Sequence, residues 1–212
     1  DTLNEAGLTF IDVRDALSEH KDEGIYYQTD HHWTTQGAWF AFNETAKIME
    51  IDASSLEYES VPVSESFQGT LSAKSGFRSG KKEELSVFLP TGDAPSSVVN
   101  YVNEKSGSFY VTEQLKVRDK YALFFNGNHP QVKISTPVKE NRTLLILKDS
   151  YANCFVPFLA PHYRNIIMVD PRYYYGDLEK LIQVENVQEI LYLYNANTFF
   201  SDTSLELTLS TQ

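Results

Sequence analysis

The chain has 212 residues, of which 42% are hydrophobic and 22% charged, an ordinary composition for a globular protein with room for a sizeable core. Its formal net charge of −11 argues against nucleic acid or an anionic membrane surface as a partner, because both require a basic patch. The single cysteine, Cys154, excludes an intrachain disulfide, and no apolar run approaches the roughly 18 residues of a transmembrane helix.

The first fifty residues predict one strand and two helices. Residues 9–13 are mostly apolar and predict a short strand, and residues 14–20 predict a short helix. A longer helix over about 36–50 follows a capping residue, Thr34 or Thr35. Its apolar side chains recur at the spacing of one buried helix face, at Ala38, Phe42, Ala46 and Met49.

Residues 55–140 change in character. Short β-prone runs at 85–89, 98–102 and 109–111 are separated by clusters of Gly, Pro, Ser and Asn, a spacing typical of hairpins. We predict that this stretch forms a β-rich insertion or cap sub-domain within a single domain that spans residues 1–212.

The last third of the chain alternates strands with helices. Apolar runs at 143–147, 165–169 and 189–194 predict strands, and residues 151–159 and 177–184 predict the helices between them. A β-α-β-α-β series implies parallel strands joined by crossover connections. The predicted fold class is therefore α/β, with a parallel sheet flanked by helices and the β-rich insertion in the middle of the chain.

The segment Asp30-His31-His32-Trp33 sets a carboxylate beside two imidazoles. Residues 25–29 predict an extended chain, in which alternate side chains share a face. We therefore expect Asp30 to hold one ring nitrogen of His32, while His31 points away and makes a structural hydrogen bond. An oriented Asp–His pair of this kind activates a nucleophilic hydroxyl.

The best candidate for that hydroxyl is Ser150, at the turn between the 143–147 strand and the helix that follows. The turn lies at the carboxyl edge of a parallel sheet, where open α/β folds bind ligands. It also lies at a helix N-terminus, which favours developing negative charge. The alternative is that Asp149 or Ser150 only caps the helix, but the Asp-x-His pair favours catalysis.

Several motifs, spread over nearly the whole chain, resemble those of the bacterial DHHW protein family. They are Thr29-Asp30-His31-His32-Trp33-Thr34, Gly37-Ala38, Phe67-Gln68-Gly69-Thr70-Leu71, Phe125-Asn126-Gly127-Asn128-His129-Pro130, Lys148-Asp149-Ser150-Tyr151 and Asp170-Pro171-Arg172-Tyr173-Tyr174. The family is similar to the SGNH hydrolases and to the periplasmic alginate O-acetyltransferases. This resemblance implies an SGNH-hydrolase-like, circularly permuted fold, with Ser150 as nucleophile, His32 as base and Asp30 as the residue that orients the base.

The resemblance also suggests donors for the oxyanion that forms in acyl transfer. SGNH relatives use a loop glycine N–H and an asparagine amide, for which Gly127 and Asn128 are the candidates, although Asn128 could equally be a turn residue. The Ser150 N–H would be a further donor. Lys148 stands where the relatives favour glycine, which would alter how closely a substrate approaches the turn.

Two further residues are candidates for substrate contact. Tyr151 would line a cleft, the alternative being ordinary packing. Arg172 follows a predicted strand end on the same sheet edge as Ser150 and would contact an anionic sugar or acyl donor. The alternative for Arg172 is an ion pair with Asp170 or Asp177.

The implied reaction is serine acyl-ester chemistry without a cofactor. An acetyl group would pass through Ser150 to a hydroxyl of an extracellular or cell-wall polysaccharide, or to water, so O-acetyltransferase and acetylesterase both remain open. The resemblance implies a bacterial surface or periplasmic location, a membrane anchor upstream of this sequence, and an acetyl donor delivered by a membrane-bound O-acyltransferase.

Two other functions compete with this prediction. Asp30, His31 and His32 are ligand types for zinc or iron, but adjacent histidines on an extended chain diverge, so we predict no metal site. A non-catalytic polysaccharide-binding or scaffold domain that partners a membrane O-acyltransferase is compatible with the acidic charge and the 13 tyrosines.

Overall fold

A six-stranded mixed sheet forms the centre of the fold. The structure, a computed structural model, describes residues 5–76, 80–101 and 104–210. The strands are β1 (Tyr58–Phe67), β2 (Glu83–Pro90), β3 (Val98–Asn100), β4 (Lys105–Ser106), β5 (Gln131–Ser135), β6 (Thr143–Lys148), β7 (Asn165–Val169) and β8 (Glu189–Leu193). The central sheet has the order β4-β3-β5-β7-β6-β8, and β1 and β2 form a separate two-stranded sheet.

Strand β6 is the buried middle strand of the parallel part of the sheet. It pairs in parallel with β7 on one side and with β8 on the other, and all of its residues are buried. A strand covered on both faces is expected to be continuously apolar, as the Leu-Leu-Ile-Leu run of β6 is. The parallel β-α-β-α-β series predicted for the last third of the chain is thus confirmed.

The remaining strands of the central sheet are antiparallel. Strand β5 runs antiparallel to β7, and β3 pairs antiparallel with both β5 and β4. The stretch 55–140 is therefore divided between the two sheets: β1 and β2 form a long hairpin of their own, whereas β3, β4 and β5 extend the central sheet. Our prediction had placed these strands together in one insertion or cap.

Two predicted strands are wrong. Residues 9–13 form no strand, and residues 109–111 contribute only an isolated bridge between Tyr110 and Phe124. Leu8 and Phe10 are more than half exposed, so the first run has no covering layer, and a β-prone segment without a ladder partner stays irregular. The predicted run at 98–102 gives β3, and its residue 102 lies outside the described part of the chain.

The helices lie on both faces of the central sheet. They are α1 (Arg14–Glu19), α2 (Thr35–Ile48), α3 (Thr70–Ser75), α4 (Ala152–Leu159), α5 (Leu178–Val184), α6 (Ala196–Ser201) and α7 (Ser204–Ser210). Thr34 caps α2 by accepting the Gly37 N–H at 3.2 Å, which decides between the two predicted caps. Within the described ranges, no helix is both long and apolar enough to cross a bilayer.

Alternate residues of β6 supply two hydrophobic cores. Leu144 and Ile146 belong to the core that contains α2, α4 and the β1–β2 hairpin, and this core is rich in aromatic rings in mutual contact. Leu145 and Leu147 pack with Leu178 of α5 on the opposite face. The helix-flanked α/β fold is confirmed, and the end of β6 is held rigidly between the two cores.

Candidate active site

Residues 26–33 form a tight loop, so the extended chain predicted for residues 25–29 gives way to bends from residue 28 onwards. Tyr26 and Trp33 make an antiparallel bridge, and the Tyr27 N–H donates to the His32 carbonyl oxygen at 3.3 Å. At the tip, Asp30 Oδ1 accepts the backbone N–H of His32 at 3.0 Å, the arrangement of an Asx turn. Asp30 and His32 are brought together by this turn and not by the alternation of a strand.

A continuous hydrogen-bonded chain joins Asp30, His32 and Ser150. Ser150 Oγ lies 2.7 Å from His32 Nε2, and His32 Nδ1 lies 2.5 Å from Asp30 Oδ1. Asp30 and His32 are buried, and Ser150 is partly buried. The structure thus brings Ser150 to a His32–Asp30 pair that lies 118 residues earlier in the chain, counted from His32. The three side chains are in the order that a nucleophile, a base and an orienting carboxylate require.

The Asp30 carboxylate has partners on both oxygens. Oδ2 accepts the backbone N–H of Thr70 at 2.7 Å and its hydroxyl at 3.1 Å, and Thr70 begins α3. Burial raises the pKa of Asp30, but hydrogen bonds from the His32 ring and from the Thr70 and His32 N–H groups outweigh it, so the pKa lies well below its usual range. Asp30 is therefore ionised at neutral pH.

The loop that carries Asp30 is fastened to the β1–β2 hairpin. Glu83, the first residue of β2, accepts the backbone N–H groups of Gln28 at 2.8 Å and Thr29 at 2.7 Å. The Thr29 hydroxyl donates to Glu83 and accepts the Gly69 N–H at 3.2 Å. Sequence reasoning missed Glu83, because its contact with this loop spans more than fifty residues and no local motif marks it.

The His32 ring is bonded at both nitrogens and contacts two neighbouring rings. The Tyr121 ring stacks on it, with 3.8 Å between centroids and 11° between planes, and the His31 ring lies 3.9 Å away at a tilt of 39°. Tyr121 is buried and donates its hydroxyl to Cys154 Sγ at 3.2 Å. Tyr121 is also absent from our predictions, since a stacking partner from a distant 3-10 turn has no sequence signature.

His31 does not point away from His32 as expected. Its Nδ1 lies 2.7 Å from the Thr70 hydroxyl, which is the structural hydrogen bond that we predicted, and its side chain is 43% exposed. Burial and then the neighbouring His32 lower its pKa. An exposed imidazole therefore borders the Asp30–His32–Ser150 chain.

The same three residues, Asp30, His31 and His32, are near enough to share a metal ion. Their ligand atoms all lie within 4.8 Å of one another, so the divergence that we used against a metal site does not occur. However, His32 Nδ1 is bonded to Asp30 and Nε2 to Ser150, and a shared ion would have to replace one of these bonds. The hydrogen-bonded arrangement fits proton transfer better than it fits metal ligation.

The turn at Ser150 is stabilised by Asp149. Its Oδ1 accepts the Tyr151 N–H at 2.8 Å and its Oδ2 accepts the Asn195 N–H at 3.0 Å. Ser150 Oγ is engaged with His32 and makes no capping bond to α4. Asp149 thus stabilises the turn that leads into α4, whose N-cap residue Tyr151 makes no side-chain capping bond. The capping alternative applies to neither Asp149 nor Ser150, and the Ser150 hydroxyl faces His32.

Tyr151 is buried, at 6% exposure, which favours the packing alternative over contact with a substrate. Its hydroxyl donates to the His31 carbonyl oxygen, and its own carbonyl oxygen accepts the Trp33 indole N–H at 3.0 Å. Burial raises the pKa of Tyr151 to about 12. These two bonds connect the loop that carries His32 to the turn that carries Ser150.

Arg172 forms the ion pair that was the alternative to substrate contact. Its Nε donates to Asp170 Oδ1 at 2.8 Å and its Nη2 to Asp170 Oδ2 at 2.6 Å. Asp170 is fully buried, whereas Asp177 caps α5 by accepting the Lys180 N–H. The guanidinium is thus occupied by a carboxylate at the end of β7.

The loop at Gly127 has an unusual backbone. Phe125, Asn126 and Gly127 all have positive φ angles, of 58°, 59° and 88°, and such strain at two non-glycine residues concentrates at functional sites. The Gly127 N–H already donates to the Phe124 carbonyl oxygen at 3.1 Å. Gly127 is therefore not the free oxyanion donor that the resemblance suggested.

Asn128 and Lys148 meet below the Ser150 turn. Lys148 Nζ donates to Asn128 Oδ1 and to Asn153 Oδ1, each at 3.0 Å, and Lys148 is 1% exposed. The buried Lys148 side chain therefore does not restrict the approach of a substrate, contrary to our expectation. Asn153, on the first turn of α4, is a further site residue that the sequence did not reveal.

Comparison with known proteins identifies the family. The model of the DHHW protein family matches residues 5–169. A solved DHHW family protein from Eubacterium siraeum is 24% identical, with a TM-score of 0.77 over 93% of this chain and 67% of that chain. Bacillus cereus PatB1, solved with a sulfonyl adduct, is 20% identical, with a TM-score of 0.73 over 94% of this chain and 71% of that chain.

These two structural likenesses show a shared fold, and no curated protein sequence matches the chain. The family match extends over most of the chain and includes Asp30, His32 and Ser150. The chain therefore belongs to the DHHW protein family.

Proposed function

We propose that this domain catalyses serine-based acyl transfer, as an O-acetyltransferase or acetylesterase that acts on a polysaccharide outside the bacterial cytoplasm. The observation that carries the proposal is the chain of hydrogen bonds from Ser150 Oγ through His32 to Asp30. A serine hydroxyl is a weak nucleophile until a positioned base removes its proton. The contacts with Asp30, Tyr121 and His31 hold His32 in one orientation for this task.

In the first half-reaction, Ser150 Oγ attacks the carbonyl carbon of an acetyl ester. His32 Nε2 accepts the hydroxyl proton and then passes it to the oxygen of the leaving alcohol. Asp30, ionised, fixes the tautomer with hydrogen on Nδ1 and stabilises the imidazolium that forms. The product of this step is an acetyl ester on Ser150.

The oxyanion of the tetrahedral intermediate requires hydrogen-bond donors. In the part of the chain that the structure describes, neither the Ser150 N–H nor the Asn128 side-chain amide has a protein acceptor. Asn128 is exposed and is anchored to the strand end and helix that flank Ser150. These two groups are the donors that we assign to the oxyanion.

In the second half-reaction, His32 removes a proton from the acceptor hydroxyl, whose oxygen attacks the acetyl-Ser150 ester. The ester bond to Ser150 Oγ then breaks, and His32 returns the proton to Oγ, which regenerates the free serine. A sugar hydroxyl as acceptor gives O-acetylation, and water gives hydrolysis. We further propose that the acetyl donor comes from a membrane-bound O-acyltransferase and that the domain works at the cell surface or in the periplasm. Both of these proposals are based on the family resemblance.

Mass spectrometry after incubation with p-nitrophenyl acetate tests the proposal directly. We expect one added acetyl group on Ser150 and release of p-nitrophenol, and neither in the Ser150→Ala variant. Repeating the reaction with candidate oligosaccharides shows whether sugar or water takes the acetyl group. Oligosaccharide binding that persists in Ser150→Ala, together with no acetylation of the wild type, would instead identify a non-catalytic binding domain.

A further inference from the structure

The chemistry above does not use the buried ammonium of Lys148. This residue ends β6, two positions before Ser150, and contacts Asn128 and Asn153 at 3.0 Å and Asp170 Oδ2 at 3.6 Å. A buried cation is destabilising unless hydrogen bonds and an opposite charge compensate for its lost hydration. All three contacts of Lys148 serve that purpose, but only Asn128 extends from the buried site to solvent.

The ammonium decides the orientation of the Asn128 amide. Lysine has three donors and no acceptor, so only the oxygen end of a side-chain amide can face it. Asn153 Nδ2 also donates to Asn128 Oδ1, at 3.3 Å. Both bonds turn Asn128 Oδ1 inwards, and the NH₂ end of the same planar group must then face away from Lys148.

We propose that Lys148 is a positioning residue, whose ammonium fixes the Asn128 side chain with its NH₂ group presented to the oxyanion on Ser150. The inference rests on the proposed function, in which Asn128 donates to that oxyanion. Without the ammonium, the amide can rotate and present its oxygen, which would repel the developing negative charge. Preorganisation of this kind raises the rate without changing how the ground-state substrate binds.

The charges around Lys148 make its contact with Asn128 sensitive to pH. Burial lowers the pKa of Lys148 to about 8, with Asp170 and Asp149 opposing the shift and Arg172 adding to it. Above this pKa, the neutral amine has a lone pair and can accept a hydrogen bond from the amide. The orientation of Asn128 is therefore expected to loosen as the pH rises through about 8.

Steady-state kinetics with p-nitrophenyl acetate provide the first test, using Lys148→Met, Asn128→Ala and the double variant. We expect each single variant to lower kcat by about 10²-fold with little change in KM, as for the loss of one oxyanion donor. The double variant should be no slower than Asn128→Ala, because both changes remove the same interaction. Lys148→Gln retains a donor and should keep more activity than Lys148→Met.

Lys133→Met is the matched control. It removes a partly buried lysine of β5 that pairs with Glu185, the residue after α5, and we expect wild-type kcat. Wild-type kcat in Lys148→Met, or fully additive losses in the double variant, would overturn the inference while leaving acyl transfer by Ser150 in place.

A second measurement does not depend on catalysis and is made on the wild-type protein, with one variant used only for assignment. The side-chain amide resonance of Asn128 in a ¹⁵N NMR spectrum can be assigned by its disappearance in Asn128→Ala. In the wild type, we expect it to shift with a midpoint near the Lys148 pKa of about 8. An Asn128 amide signal that stays unchanged while the Lys148 ammonium deprotonates would refute the positioning role, even if the protein hydrolyses no ester.

Discussion

Gly69 lies directly against the carboxylate of Asp30. A β-carbon at position 69 would lie 2.1 Å from Asp30 Oδ2 and 2.2 Å from Asp30 Cβ, far inside contact distance. The φ angle of Gly69 is −88°, so backbone freedom does not explain the glycine. Because residue 69 has no side chain, its backbone comes close enough for the Gly69 N–H to bond to Thr29 and the Thr70 N–H to bond to Asp30. These two bonds hold the Asp30 loop.

Gly69→Ala should therefore impair catalysis. The added methyl group must displace Asp30, and a misplacement of about 1 Å in a positioned group can cost about 10²-fold in rate. We would measure kcat for p-nitrophenyl acetate together with the melting temperature. Gly92→Ala is the control, since a β-carbon at Gly92 meets no atom within 4 Å, and it should retain wild-type values. Full activity in Gly69→Ala would mean that the loop position is not critical.

Asp30→Asn should lower kcat by roughly 10³–10⁴-fold. The amide has nearly the shape of the carboxylate, but it no longer stabilises an imidazolium and can donate to His32 Nδ1, which selects the wrong tautomer. The pH–rate profile and kcat of the purified variant would show this effect. A loss of less than tenfold would indicate that His32 needs no charged partner.

We also expect Asp30→Asn to change how the free energy of unfolding depends on pH in acid. The pKa of Asp30 is lowered in the folded state, so its ionised form stabilises the fold at pH values above about 3.9, the usual aspartate pKa. This contribution is lost as the pH falls through that value towards the lower folded-state pKa. In urea unfolding, we expect the stability advantage of the wild type over Asp30→Asn to be full at neutral pH and to shrink in acid. An advantage that grows in acid would contradict the assigned shift.

Tyr121 can be tested by separating its ring from its hydroxyl. Tyr121→Phe keeps the stacking on His32 and loses only the bond to Cys154, so we expect nearly wild-type kcat and a loss of about 1 kcal/mol in stability. Tyr121→Leu removes the flat surface and should lower kcat as well. Equal kcat values for the two variants would show that stacking does not position the imidazole.

Local sequence patterns were sufficient for the parts of the site that depend on neighbours in the chain. The apolar run of β6 and the amphipathic spacing of α2 predicted these elements, because burial and helix periodicity leave a local record. The Asx turn at Asp30 was missed, since the same residues are compatible with an extended chain. Asp30 and His32 were nevertheless paired correctly, because residues two apart come together both in an extended chain and in an Asx turn.

Contacts between distant segments could not be predicted in this way. Glu83, Tyr121 and Asn153 reach the site from a hairpin, a 3-10 turn and a helix, and a single sequence contains no record of such pairings. The division of residues 55–140 between two sheets could not be predicted for the same reason, because a short strand can pair with any exposed sheet edge and its own sequence does not specify which. The circular permutation expected from the resemblance stays a prediction.

The anchoring of the Asp-His loop has a consequence for how the protein fails under heat. The loop that carries His32 is tied to the hairpin segment through Glu83 and Thr70, and the turn that carries Ser150 is tied to the central sheet through Asp149. Tyr151 connects the two. A separation of only a few ångströms between the hairpin and the sheet is enough to break the hydrogen bond between Ser150 and His32. Thermal inactivation should therefore precede the loss of helix and strand signals, and would report the first separation of these layers.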